Sequence, residues 1–103
     1  MARGYRVTRG EIDIVAITGR TIVFVEVKTR EDDAGGSAIE AVTLEKQRRI
    51  ARAAVRFLRR HEVLGYPTRF DIVGVTWPSG SRQPKIAHLQ AAFESPLPNS
   101  FYA

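Results

Sequence analysis

The sequence has no cysteine, so neither a disulfide framework nor a thiolate zinc site is open to it. It has two histidines, His61 and His88, which fall in different predicted elements with no metal-ligand spacing between them. No apolar run approaches the ~20 residues that a membrane-spanning helix needs. The longest runs, residues 12–17 broken at Asp13 and residues 22–25, suit ordinary strands. The opening Met-Ala-Arg-Gly-Tyr-Arg carries no apolar segment of the signal-peptide kind. The expectation is a soluble, cytoplasmic protein with no membrane partner.

Acidic residues are the scarcer sign, 11 against 16 basic for a net charge of +5, and 13 of the basic residues are arginine. Arginine presents a planar fork of donors that suits phosphate, so this excess points toward a polyanion, DNA or RNA, more than a lysine excess would. The 103 residues, 44% apolar and 26% charged, can bury one core and not two. A single domain over residues 1–94 is expected, with a tail over 95–103 marked by Pro96 and Pro98.

Glu11 to Ile17 reads as a strand, Thr18-Gly19-Arg20 as a turn, and Thr21 to Lys28 as a second strand rich in β-branched residues. The stretch from Arg30 to Ser37 has no periodicity and reads as a mobile loop of the kind found beside sites. From Thr43, a capping residue, the pattern becomes helical up to about Arg60, with Leu44, Ile50, Ala54, Phe57 and Leu58 as its apolar positions. Arg69 to Trp77 and Lys85 to Leu89 make two further strands around the turn Pro78-Ser79-Gly80-Ser81. The predicted order is strand, strand, helix, strand, strand, an α/β chain.

Side chains alternate faces along a strand, so Glu11 shares a face with Asp13, and Phe24 with Glu26 and Lys28. If Gly19-Arg20 form a two-residue turn, Thr18 pairs with Thr21, which sets Asp13 opposite Glu26 and Glu11 opposite Lys28. Facing carboxylates repel, and sheets normally avoid them. A cation resolves the conflict: Mg²⁺, or Mn²⁺ in its place, takes one or two carboxylates plus waters and substrate phosphate, and Asp13, Glu26 and the Val27 carbonyl offer such a set. A metal so placed activates water and neutralises charge on a phosphodiester, while the Lys28 ammonium steadies the transition state. Glu11, beside this group, completes the candidate catalytic set of Asp13, Glu26, Lys28 and Glu11. The competing reading is a solvated ion-pair ladder on a strand face. The joint occurrence of Asp and then Glu-x-Lys across a tight turn, flanked by Val and Ile, favours the site.

On the helix, Arg48, Arg49, Arg52, Arg56, Arg59 and Arg60 recur at spacings of three and four, opposite the Ile50, Ala54, Phe57 stripe, with only Glu45 and Glu62 nearby. Arg48, Arg52, Arg56 and Arg59, with Arg30 just beyond the second strand, are the candidate nucleic-acid contacts; a merely solvated face is the alternative. Lys46 and Gln47 lie on the first helical turn, within reach of a site at the strand ends. His88 reads as a strand residue, His61 as a helix-end residue, Asp71 as a partner for an arginine outside the site, and Trp77 and Phe93 as core.

Four stretches then carry a resemblance: residues 9–16 (Arg-Gly-Glu-Ile-Asp-Ile-Val-Ala), residues 23–30 (Val-Phe-Val-Glu-Val-Lys-Thr-Arg), Ala41-Val42 with Lys46 and Arg49-Ile50, and Arg69-Phe70-Asp71-Ile72-Val73. They resemble the YraN family of small bacterial proteins, itself similar to archaeal Holliday junction resolvases of the PD-(D/E)xK nuclease superfamily. The likeness runs from about Arg3 to Phe93. It implies a restriction-endonuclease-like fold with a mixed central sheet flanked by helices. It also implies a divalent metal at Asp13 and Glu26, a catalytic lysine at Lys28, and a homodimer able to cut two strands symmetrically. A longer N-terminal helix with an additional acidic residue is part of the family pattern. Here Gly4-Tyr5-Arg6-Val7 runs almost directly into Thr8-Arg9-Gly10.

The expected activity is Mg²⁺-dependent cleavage of DNA, with branched DNA as a candidate substrate. The alternatives are a nucleic-acid-binding module of the same fold without turnover, and an interaction domain whose arginine face docks an acidic protein.

Overall fold

The computed structural model describes residues 3–6, 12–30 and 42–98. They form β1 (Arg3–Arg6), β2 (Ile14–Thr18), β3 (Thr21–Arg30), α1 (Leu44–Arg60), β4 (Thr68–Thr76) and β5 (Lys85–Phe93). The strands make one sheet in the order β1-β2-β3-β4-β5, antiparallel throughout except for the parallel β3–β4 pair that α1 connects. This is a mixed α/β sheet consistent with a restriction-endonuclease-like fold.

The hairpin follows the expected register, with Thr18 opposite Thr21 and Ile14 opposite Val25. Gly19 takes φ 59°, the left-handed conformation that a two-residue hairpin turn requires at its first central residue and that glycine adopts without penalty. β3 is the middle strand and is covered on both faces, which is why Ile22-Val23-Phe24-Val25 reads as an unbroken apolar run. Its even-numbered residues face α1: Phe24 meets Phe57 edge-on with ring centres 5.7 Å apart and stacks on Phe70 at 5.6 Å, and Phe70 stacks in turn on Phe93 at 5.0 Å. Leu58, Ala54, Ala51 and Ile50 complete this core from the helix side, and Val15, Ile12 and Ile72 from the sheet side.

α1 begins where the sequence indicates. The Thr43 hydroxyl accepts the backbone N–H of Lys46 at 3.2 Å, and Glu45 lies in the first turn, where a negative charge suits the helix dipole. His61 closes the helix, and its backbone N–H is accepted by the Phe57 carbonyl at 3.0 Å. No helix among the described residues is long and apolar enough to cross a membrane.

Five expectations need correction. β2 starts at Ile14, three residues later than predicted, because the Asp13 carboxylate takes the strand contact that a backbone carbonyl would have made: Val27 N–H donates to Asp13 Oδ2 at 2.8 Å. β1 was absent from the predicted order; its four residues lack the apolar alternation that marks a strand, and it forms only by pairing with β2. β5 continues past Leu89 to Phe93 through an irregularity in its pairing with β4, where Ala91 takes φ 49°. Trp77 is not core: it stands one residue beyond the last pair of β4, Thr76 with Lys85, and is 44% exposed. Phe93 does pack on the core, and so does Leu97, from the stretch read as the start of a tail. The loop read from Arg30 to Ser37 lies, beyond Arg30 itself, outside the described residues.

Candidate metal centre and nucleic-acid interface

Asp13 sits in the bend that precedes β2, on the side of the sheet that faces α1. With Val15 opposite Phe24, residues two earlier and two later along the same faces are Asp13 and Glu26. The Asp13 carboxylate acts directly on the ionisation of Glu26. Glu26 is half-buried, its side chain 15% exposed, and its pKa is raised, first by burial and then by the Asp13 carboxylate. Lys28, next on the same face of β3, brings Nζ to 3.8 Å from Glu26 Oε1; it and Lys46 oppose that rise without cancelling it. The predicted trio is thus assembled on one face, where the apolar run of β3 gives way to charge.

This donor set fits a hard divalent cation. Asp13 Oδ2 is held by the Val27 N–H, which orients the carboxylate and leaves its other oxygen to point elsewhere. The N–H and C=O of one strand residue point to the same side, so the Val27 carbonyl also faces the Asp13 side. Two carboxylates held close together, one of them resisting ionisation, are relieved by a cation, and Mg²⁺ needs no more than one or two carboxylates. Among the described residues no group of three His, Cys, Asp or Glu side chains converges. Glu11 lies outside the described residues, as does the side chain of Arg30, so neither predicted role gains geometry.

Arg48, Arg52, Arg56 and Arg59 are all exposed on α1, on the side away from the buried Ile50, Ala54 and Leu58. From Arg48 to Arg59 the helix rises about 16 Å. Arg56 is engaged in an interaction of its own. Lys46, on the first turn of α1 and outside the predicted set, is linked to the site electrostatically, by Lys28 and Arg49, which disfavour its charge, and by Glu26, which favours it. That crowding by Lys28, followed by burial, lowers the Lys46 pKa.

A second charged cluster lies on the opposite face of the sheet and takes no part in this site. The Asp71 side chain is fully buried and accepts from Arg69 Nε at 2.8 Å, Arg69 Nη2 at 2.9 Å and the Ala91 N–H at 3.0 Å, with His88 Nε2 at 2.8 Å. Burial works to raise the Asp71 pKa, but these bonds outweigh it and hold the carboxyl below the usual range. Asp71 therefore has the arginine partner expected of it, and it pins the irregularity at Ala91.

Residues 1–75 match the model of the family described as "Uncharacterised protein family UPF0102". The chain is 44% identical over 96 residues to a UPF0102 protein of Rhodopirellula baltica, covering 90% of this chain and 58% of that protein. It is 45% identical over 92 residues to a UPF0102 protein of Geotalea uraniireducens, covering 89% and 72%, and 45% identical over 94 residues to one of Geobacter metallireducens, covering 91% and 75%. The chain thus spans little more than half of the first of these relatives. On this similarity the chain belongs to UPF0102, the YraN family.

Proposed function

We infer that this protein is a divalent-metal-dependent DNA endonuclease of the PD-(D/E)xK type. The observation that supports this most is the meeting of Asp13 and Glu26 on one sheet face, with the charge of Glu26 disfavoured and Lys28 Nζ at 3.8 Å. A sheet pays for such crowding only where something else gains from it. Asp13, Glu26 and the Val27 carbonyl would hold Mg²⁺ or Mn²⁺, which supplies an activated water and charge neutralisation at phosphorus. The Val27 N–H fixes the rotamer of Asp13, and Glu26 holds Lys28 where its ammonium meets the charge that builds on the phosphate oxygens. The exposed arginines of α1 supply contacts to the phosphate backbone, and a homodimer would present two such sites for symmetric incision of branched DNA.

A second reading keeps the fold and DNA binding without turnover. It draws on one observation: one oxygen of Asp13 is already engaged by the Val27 N–H. The test is incubation of the protein with duplex, single-stranded and four-way-junction DNA in Mg²⁺, Mn²⁺ or EDTA. Metal-dependent product supports the endonuclease, and binding with no product in either metal selects the second reading.

A further inference from the structure

The β4–β5 hairpin carries Trp77, Arg82 and Lys85 at the end of the sheet that Lys28 approaches. β3 and β4 run parallel, and their pairing puts Lys28 beside Gly74 and Arg30 beside Thr76, which in turn pairs with Lys85. Side chains alternate along a strand and cross-strand partners share a face, so Lys85 and Ala87 point to the face that carries Glu26 and Lys28. At the spacings of a sheet, Lys85 stands about 12 Å from Lys28, across the small residues Gly74 and Ala87. Ile86 points to the other face and is 68% exposed. Continuing the alternation from Val75, the partner of Ile86, puts Trp77 on that side too, where it is 44% exposed. The rim of the sheet is therefore basic on the side of the candidate site and apolar on the other.

The tip of the hairpin is built to hold its shape. The Ser81 N–H donates to the Pro78 carbonyl at 3.1 Å, and Gly80 takes φ 77° in the third place of that turn, where a type II turn favours glycine. The Ser81 hydroxyl donates to the Gln83 carbonyl at 2.9 Å and accepts the Gln83 N–H at 3.2 Å, which fixes the backbone on both sides of the exposed Arg82. No acidic residue occurs from Ile72 to Phe93, so Arg82 and Lys85 have no counter-charge within the hairpin. An aromatic left in water beside unopposed cations suits single-stranded nucleic acid, whose bases stack on the ring while its backbone follows the positive charge. An acidic protein would use the cations and leave the indole idle, and a continuous duplex offers Trp77 no free base face. We propose that the β4–β5 hairpin is a wedge at the point where two strands of nucleic acid part. Lys85 and Arg82 hold phosphates of the strand that runs on to Lys28, and Trp77 stacks on the first unpaired base. The wedge rests on nucleic acid as the ligand and narrows that reading to forked or branched forms; it does not rest on cleavage.

Trp77 is the only tryptophan of the chain, so its fluorescence reports the contact directly. The intact protein is titrated in EDTA with a forked DNA oligonucleotide, the matching blunt duplex and the single strand. Anisotropy of a labelled strand gives the affinities of wild type, Trp77→Ala, Trp77→Phe and the double variant Arg82→Gln/Lys85→Gln. The wedge predicts quenching of Trp77 by the fork and the single strand and none by the blunt duplex. Trp77→Ala should lower fork affinity on the order of tenfold, the scale of one stacked base, and leave duplex affinity unchanged, while Trp77→Phe keeps most of the fork affinity. The double variant should flatten the slope of log affinity against log salt for the single strand by about 1.4, at about 0.7 for each phosphate. Fork binding that leaves the fluorescence unchanged overturns the wedge, as does wild-type fork affinity in Trp77→Ala or an unchanged slope in the double variant. Fluorescence that shifts with protein concentration in the absence of DNA overturns it too, since that marks a contact between copies. A wild type that binds forks as predicted and never cuts in Mg²⁺ or Mn²⁺ sinks the endonuclease and leaves the wedge. Failure of the wild type to bind any of the three DNAs sinks both.

Discussion

Replacing Glu26 by Gln should make the metal-free protein more stable at neutral pH, although it removes an ion pair. The Glu26 carboxylate is half-buried, and burial together with Asp13 outweighs Lys28 and Lys46, so its charge is a net liability. Like charges facing across a sheet cost about 0.2–1 kcal/mol. Glutamine keeps the shape and removes the charge, so a gain of about 0.5 kcal/mol is expected, or roughly 2–4 °C in Tm for a domain of this size. The pH dependence has a definite sign. The raised pKa means that the folded chain holds the proton more tightly than the unfolded one. Wild-type stability from this group is therefore highest in acid, falls as pH rises from the ordinary glutamate value through the raised one, and is flat above it. The variant has no such fall, so the two proteins converge in acid and separate at neutral pH. Mn²⁺ should invert the ranking, since an ion that binds only the folded wild type adds about 2.7 kcal/mol at a hundred times its Kd. Thermal unfolding from pH 4 to 8 in EDTA, then in millimolar Mn²⁺, reads both effects. A variant less stable than wild type in EDTA at pH 7 would refute the crowding argument, and equal gains in Mn²⁺ would refute the metal site.

Lys28→Met should slow cleavage on the order of a hundredfold at saturating DNA while changing DNA affinity far less, because an interaction gained at the transition state appears in kcat. Equal losses in rate and affinity would mark Lys28 as a binding contact alone. Arg52→Gln and Arg59→Gln should each flatten the salt dependence of duplex binding by nearly one in log–log slope; unchanged slopes would return α1 to a merely solvated face. Asp71→Asn should destabilise the fold by about 3 kcal/mol, since it breaks a buried ion pair and weakens the hold on Ala91. The lowered Asp71 pKa means that this stabilisation is present above the ordinary aspartate value and is lost as pH falls through the lowered one. Urea unfolding of the wild type should weaken in that acid range, and the variant should not share that part of the decline.

The hairpin register was legible because Gly19-Arg20 leaves one two-residue solution and a one-residue slip would turn Phe24 out of the core. The helix was legible from Thr43 at one end and the three-and-four spacing of its apolar face. β1 was not, since a four-residue strand gains its stability from its partner and leaves little pattern of its own. The extension of β5 was hidden for a different reason. It passes through the irregular residue Ala91, pinned by an Asp71 carboxylate 20 positions away in sequence, and such long-range contacts leave no local signature. At the site, Asp13, Glu26 and Lys28 stood out because strand alternation across a fixed turn places them together. The influence of Lys46 on Lys28 and Glu26 was less visible, because these residues lie far apart in sequence and tertiary packing brings their charges to bear on one another.

The endonuclease reading requires Asp13 and Glu26 to act together in metal-dependent cleavage of a phosphodiester. Single-turnover cleavage of a four-way junction and of its duplex arms in saturating Mg²⁺ tests it, with wild type beside Asp13→Asn and Glu26→Gln. Wild type is expected to form product, EDTA to abolish it, and each substitution to remove most of the rate while the folded proteins still bind DNA. Product formed at the full wild-type rate by either variant, or no product from the wild type in Mg²⁺ or Mn²⁺, would contradict it.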